Sequence, residues 1–328
     1  MEKVDINLIR FDFDLTFAVV LMNADGTIYH RYGGRDYEDA DEYLGIKSLV
    51  QIMKDTLKDH AEYAKKPAPP KKKPKKTIND IPAWTSRPQK PNCVHCHMIN
   101  EAERSQAQKE GKWSRDKIWM YPLPDRLGIT VDVEDQTLVK AVEKKSAAAD
   151  AKVRVGDRIV TLDGSRVRTL HDIQWMLEAA NASSLDLEVS RGGSTESVKV
   201  KLASGWREGG PLDLSWRASM WGISPQPGFG GKKMTPTELK QAGLPDDFFA
   251  FKIGYIVDWG DKAHLGKNVK QAGLQKGDVV LSTNGESKFE SELHWQAWFR
   301  LTLKAGAKVP IEVWRAGKRV KLTLPVID

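Results

Sequence analysis

Cys93-Val94-His95-Cys96-His97 are the residues of this chain best suited to do chemistry, and they use both of its cysteines. C-x-x-C-H is the spacing of haem c attachment. Two thiols separated by two residues can each add to one vinyl group of the same haem. The next residue, His97, then offers a nitrogen to iron as the proximal ligand. Met120, in Trp119-Met120-Tyr121-Pro122, follows at a distance that lets the chain fold back over the ring, and it is the candidate sixth ligand. The same residues suit two other chemistries. Cys93 and Cys96 could cycle between dithiol and disulfide. They could also contribute to a zinc site, although a closed one takes four ligands and there is no second C-x-x-C.

The elements that must position this motif are read from the rest of the chain. Its 328 residues allow two or three domains, and 40% hydrophobic residues with eleven tryptophans supply real cores. The formal charge of +7 has a local origin. Residues 65–92 (KKPAPPKKKPKKTINDIPAWTSRPQKPN) hold nine Lys or Arg and one acid, Asp80, so the remainder is close to neutral. This composition predicts an extended, basic, Pro-rich linker with little packing, and gives no nucleic-acid-binding surface. No run of apolar residues is long enough for a membrane span, and Met1–Arg10 lacks the apolar stretch of an export signal.

Ahead of the linker, residues 1–64 predict a small α/β unit. An apolar strand covers Leu15–Met22, Asn23-Ala24-Asp25-Gly26 forms a hairpin turn, and Thr27–Tyr32 alternates as a second strand. Apolar residues at helical spacing follow from Leu44 to His60. Residues 93–122 carry the C-x-x-C-H and a polar helical stretch. Beyond them lies an internal repeat. Gly156-Asp157 and Gly277-Asp278 each open an apolar strand, and Asp163-Gly164 and Asn284-Gly285 form the turns that follow, both glycine pairs at an offset of 121 residues. A helix and a closing hairpin then follow in each copy, the hairpins containing Arg191-Gly192-Gly193 and Arg315-Ala316-Gly317.

This order resembles the bacterial PDZ domain over residues 123–204 and 214–326, the second copy with a Gly/Pro-rich insertion near Ser224–Asp247. The resemblance implies a groove that takes protein or peptide C-termini. An extended ligand adds to a strand edge, and backbone N–H groups catch its carboxylate. In the first copy Arg126-Leu127-Gly128-Ile129 resembles the carboxylate loop, and Ile173 and Leu177 would face the groove or the core. In the second, Trp221-Gly222-Ile223 is the weaker counterpart, and the tryptophans around it predict an altered or filled groove.

Taken together, FDFDLTFAVV, NADGTIYHRYG, CVHCH and GDRIVTLDG resemble a bacterial family of thioredoxin-like/PDZ proteins, some of them selenoproteins. The expected fold is therefore α+β and multidomain. It comprises the C-terminal half of a thioredoxin-like domain, the linker, the C-x-x-C-H segment and two small β-barrel PDZ-like domains. The resemblance further implies an upstream half with an export signal, Met1 being an internal methionine, and an extracytoplasmic location. A thiol–disulfide oxidoreductase activity would belong to that longer protein. Within this chain no catalytic constellation is found: G-x-S-x-G, P-loop and H-E-x-x-H are all absent.

Overall fold

Asp25-Gly26 reverses the chain as its composition predicts. In the computed structural model Gly26 has φ +97°, and Thr27 N–H donates to the Asp25 carboxylate at 2.8 Å. The turn joins β1 (Val19–Met22) to β2 (Ile28–Tyr32), an antiparallel pair with one register irregularity after Leu21. β1 starts later than expected. Leu15 N–H is held in a turn by the Asp12 carbonyl at 3.0 Å, so Leu15–Ala18 enters the pair as irregular chain. Helix α1 (Ile46–Lys65) lies on β2, burying Ser48 and Ile52 and leaving Ile46, Val50, Met53 and Leu57 exposed. These two strands form a sheet of their own.

The structure describes residues 1–69, 73–87, 91 and 93–328, so residues 70–72, 88–90 and 92 of the expected linker lie outside the described residues. Part of that tract is packed: residues 66–69 and 73–75 are exposed and without regular structure, whereas residues 76–84 fold onto a core. Thr77 and Asp80 form a capping box for a short helical turn, and helix α2 (Pro82–Thr85) follows. Ile78, Ile81, Ala83 and Trp84 are buried with Ile6, Phe11 and Phe13 from before them and Ile99 and Ala102 from after. Apolar residues three apart at 78, 81 and 84 give the basic tract a face to bury, and composition alone hid it. The Lys76 carbonyl also accepts from Ile6 N–H at 2.7 Å. The C-x-x-C-H opens helix α3 (His97–Lys109), tied to the chain's start by an Arg10–Glu103 fork at 3.0 and 2.7 Å.

The rest of this unit, which ends at Gly209, consists of strands β3 (Ile129–Val131) and β4 (Val139–Val142), helix α4 (Ala147–Asp150), strands β5 (Arg158–Leu162) and β6 (Ser165–Arg166), helix α5 (Leu170–Ala179), and strands β7 (Ser184–Arg191) and β8 (Ser194–Lys201). The order β6-β5-β7-β8 forms one sheet and β3-β4 a second, and a Leu138–Arg158 bridge joins them. Gly210–Asp328 form the other unit. It holds α6 (Pro211–Ser215), β9 (Phe229–Lys233), α7 (Pro236–Gln241), β10 (Phe251–Ile256), α8 (Ala263–Gln271), β11 (Val279–Thr283), α9 (Glu292–Thr302), β12 (Lys308–Arg315) and β13 (Lys318–Pro325). Its sheet is antiparallel throughout, in the order β13-β12-β11-β10-β9.

The repeat reappears atom by atom. The buried Asp157 carboxylate accepts from Arg191 Nε and Nη2, both at 2.7 Å, and from Arg154 N–H at 2.8 Å. Asp278 does the same with Arg315, both contacts at 2.7 Å, and with Gln275 N–H at 3.0 Å. Gly156 N–H donates to Val139 O and Gly277 N–H to Ile253 O, each at 2.9 Å. One correspondence differs from the sequence reading. Gly128 O accepts from Glu143 N–H and Gly228 O accepts from Val257 N–H, each at 2.8 Å, and both glycines lie immediately before a strand. Gly228, not Gly222, is therefore the counterpart of Gly128, and Trp221 corresponds to Tyr121. The extra chain of the second copy lies between β9 and β10, where it forms α7. Among the described residues no helix is long and apolar enough to cross a membrane.

Candidate functional site

In the first repeat, Pro124–Leu127 make one helical turn and Gly128 closes it at φ +82°. A Cβ on Gly128 would lie 2.2 Å from Ser146 Cβ, so only glycine lets this loop approach α4. The chain then runs into β3. Among the described residues β4 is the only strand paired to β3, so its other edge carries no strand. Helix α5, capped by Thr169 and Asp172, packs on the same core as β3. Leu127, Ile129, Ile173 and Leu177 are at most 1% exposed and share one core cluster. The structure thus brings together the apolar residues singled out in the sequence. Arg126 sits beside the Asp125 carboxylate, 3.5 Å away, with its side chain mostly covered. Burial, with Glu143 and Asp36 adding to it, raises the Asp125 carboxyl above the usual carboxylate range against the pull of Arg126.

Helix α5 also packs against chain that the sequence does not connect to it. The Arg31 guanidinium stacks 3.7 Å from the Trp175 ring centroid. Gln174 Nε2 donates to Tyr121 O at 3.0 Å, and Tyr121 N–H donates to the Glu178 carboxylate at 2.8 Å. His30 bridges two carboxylates, with Nε2 2.7 Å from Asp59 and Nδ1 3.4 Å from Asp172. Burial opposes protonation of His30, but the hydrogen bonds to Asp172 and Asp59 outweigh it and its pKa is raised. His171, fully buried and near Arg31, is pushed down to about 4 by burial first and by that cation second.

The second repeat closes the corresponding space with its own side chains. Gln296 Nε2 donates to Phe229 O at 3.1 Å, and Gly231 N–H points to Glu292 Oε1 at 3.4 Å. Gln296 Nε2 also donates to Glu292 at 2.8 Å, and Arg300 Nη1 donates to Gln296 Oε1 at 2.6 Å. Gln296 and Glu292, one turn apart on α9, therefore hold groups of β9, and Arg300, a turn further on, braces Gln296. Burial raises the Glu292 carboxyl and lowers the Arg300 guanidinium to about 10. Beside them Leu214, Met220, Trp221, Ile223 and Ala297 line a small apolar recess.

At the C-x-x-C-H, Cys93 is exposed and Cys96 is half-buried, both as free thiols. Cys96 precedes α3 and packs against the Ile99 cluster. His97 Nδ1 lies 2.9 Å from Glu101 Oε1, one turn along the helix. The His95 and His97 rings stack at 5.9 Å. Met120 is half-buried after the turn at Arg115–Ile118. Among the described residues no group of three or more His, Cys, Asp and Glu could hold a metal ion, so the zinc alternative gains nothing.

Residues 125–202 match the family described as PDZ domain, which covers the first repeat. No curated protein matches the chain. Similar solved structures include the HtrA-type protease AlgW with a decapeptide, at 18% identity and TM-score 0.26 over 46% of this chain and 43% of that one. Variants of that protease with a decapeptide and with a tripeptide align at 20% and 21% identity, with TM-scores of 0.27 and 0.26. The aligned part spans less than half the length of those proteases.

Proposed function

We propose that the first repeat captures extended peptides or protein C-termini along the unpaired edge of β3. One observation carries this reading: a Gly128-dependent loop leads into a strand whose second edge pairs with no strand among the described residues, beside a helix whose Ile173 and Leu177 share one core with Leu127 and Ile129. Ligand N–H and C=O groups would continue the sheet, and the N–H groups of the loop would receive the terminal carboxylate, with Arg126 adding charge nearby. The test is titration of the isotope-labelled full chain with heptapeptides of randomised C-terminal sequence, each as free acid and as amide. The expected result is perturbation of Leu127–Val131 and Leu170–Leu177 amides by the acids only. Perturbation confined to other regions, or equal for acids and amides, refutes it.

A second reading concerns the cysteines. His97 Nδ1 lies 2.9 Å from Glu101, which orients the ring; in the neutral tautomer that donates to Glu101, Nε2 keeps the lone pair, the arrangement that metal-bound histidines use. Cys93, Cys96 and His97 would hold a haem c, which when bound supplies one-electron transfer, and Met120 is the candidate for its other face. This reading places the working protein outside the cytoplasm, where haem c is attached. Intact mass of protein exported from a host with haem c maturation should show the added haem. A haem-free mass beside a correctly matured control cytochrome removes this reading.

A further inference from the structure

We infer that residues 33–45 act as an internal pseudo-ligand of the first repeat, seated across its peptide groove through Tyr43. This rests on the peptide-binding reading above and concerns the regulation of that same site. The contacts run from one side of the groove to the other. The Gly34 backbone meets the Leu170 side chain at the start of α5: a Cβ there would lie 2.9 Å from Leu170 Cδ2 and 3.3 Å from Tyr43 Cβ. Tyr43 itself packs on the cluster that holds Leu127, Ile129, Ile173 and Leu177. Its carbonyl accepts from Gln136 Nε2 at 2.8 Å, and Gln136 Oε1 accepts from Leu170 N–H at 3.0 Å. Gln136 lies in the loop after β3, so this one buried side chain ties Tyr43 to both walls, the β3 loop and α5. At the other end Asp125 stands in the turn before Gly128. Burial first, and the charges of Asp125, Asp36 and Glu42 after it, raise the Tyr43 phenol to about 12.

The segment is anchored on both sides. Thr169 Oγ1 donates to Arg31 O at 2.5 Å, and Arg31 N–H donates to Asp172 at 3.3 Å, fixing β2 on the helix cap. After Tyr43, Gly45 N–H donates to Tyr32 Oη at 2.9 Å, and Lys47 N–H donates to Glu134 at 2.9 Å. A tethered occupant competes at an effective concentration in the millimolar range, enough to suppress a micromolar peptide. The two repeats then differ in how they are closed. In the second, side chains of its own helix satisfy the strand edge. In the first, a separable segment covers the groove, and moving that segment opens it.

The experiment compares the full-length chain with Tyr43→Ala, and with Gln136→Ala as a second way to release the segment. Tyr43→Phe, which keeps the ring, is the control. Amide hydrogen exchange is read at Ile129–Val131 and Leu170–Leu177. Binding is read by fluorescence polarisation with a labelled Asp-Ala-Asp-Glu-Tyr-Leu peptide, the chain's own residues 39–44, as free acid and as amide. Both releasing variants should exchange at least tenfold faster at these sites and bind the free acid at least tenfold more tightly, while Tyr43→Phe behaves as the parent. Unchanged exchange in either folded releasing variant overturns the inference. Equal binding by parent and releasing variants also overturns it and leaves the peptide-binding reading in place. Faster exchange with no binding of either peptide form supports the seating of the segment and removes the peptide-binding reading instead.

Discussion

Replacing Gln296 with alanine should unfasten the second repeat, and the structure sets how far. The side chain is 3% exposed. It gives one hydrogen bond to the Phe229 carbonyl and one to the Glu292 carboxylate, and it accepts one from the Arg300 guanidinium. A neutral hydrogen bond contributes about 1 kcal/mol net, and one to a charged group about 1.5–3 kcal/mol. Straight addition would exceed 4 kcal/mol. Arg300 keeps the Gln296 main-chain carbonyl at 2.8 Å, and Glu292 keeps Gly231 N–H, so part of this is retained. We expect a loss of about 3 kcal/mol, close to a hundredfold faster hydrogen exchange in Phe229–Lys233 and Glu292–Thr302. Gln174 holds the corresponding place on α5 but bonds the Tyr121 carbonyl there, so Gln174→Ala should cost only about 1 kcal/mol. Hydrogen exchange of the full chain, read at both helices, makes the comparison internally controlled. Equal effects of the two substitutions, or a loss below about 1 kcal/mol for Gln296→Ala, would refute the reasoning.

Two further outcomes are expected. Gly128→Ala combines a left-handed backbone at φ +82° with a 2.2 Å overlap on Ser146, and should destabilise the first repeat by about 2–4 kcal/mol; denaturant titration checks it, and a change under 1 kcal/mol contradicts the close approach. His30 has a folded pKa raised above 6.5, so its ionic contribution is fully present below pH 6.5 and is lost as pH rises through the folded value. His171 acts with the opposite slope, because its folded pKa of about 4 withdraws stability as pH falls from 6.5 toward 4. Thermal unfolding of the parent and His30→Gln from pH 5.5 to 8.5 should therefore show the largest gap at the acid end, and a gap independent of pH would contradict the paired-carboxylate geometry.

Local chemistry made much of this legible in the sequence. Asp25-Gly26, Asp163-Gly164 and Asn284-Gly285 mark turns because few other residues adopt the backbone they require. Gly156-Asp157 and Gly277-Asp278 stood out for the same reason, and their Arg191 and Arg315 partners lie in the matching hairpins. What stayed hidden was non-local. Tyr43 carries no periodic signal that ties it to Leu170 or Gln136, which lie more than ninety residues further along. The tract at 73–87 read as solvated because lysine and proline dominate its composition, while its burial rests on only a few apolar side chains. Trp221-Gly222-Ile223 resembled the loop of the first copy by its letters. Tracking the offset from Tyr121 to Trp221 would have placed the equivalent glycine at Gly228.

The core shared by Ile6, Phe13, Trp84 and Ile99 also orders events in time. Its members come from the two ends of a stretch of roughly ninety residues, so it closes only after a long loop has formed, at an entropy that local strands and helices do not face. During synthesis Phe11 and Phe13 must wait uncovered until α3 has left the ribosome, and α3 begins at His97. Cys93 and Cys96 emerge just before the residues that complete this core.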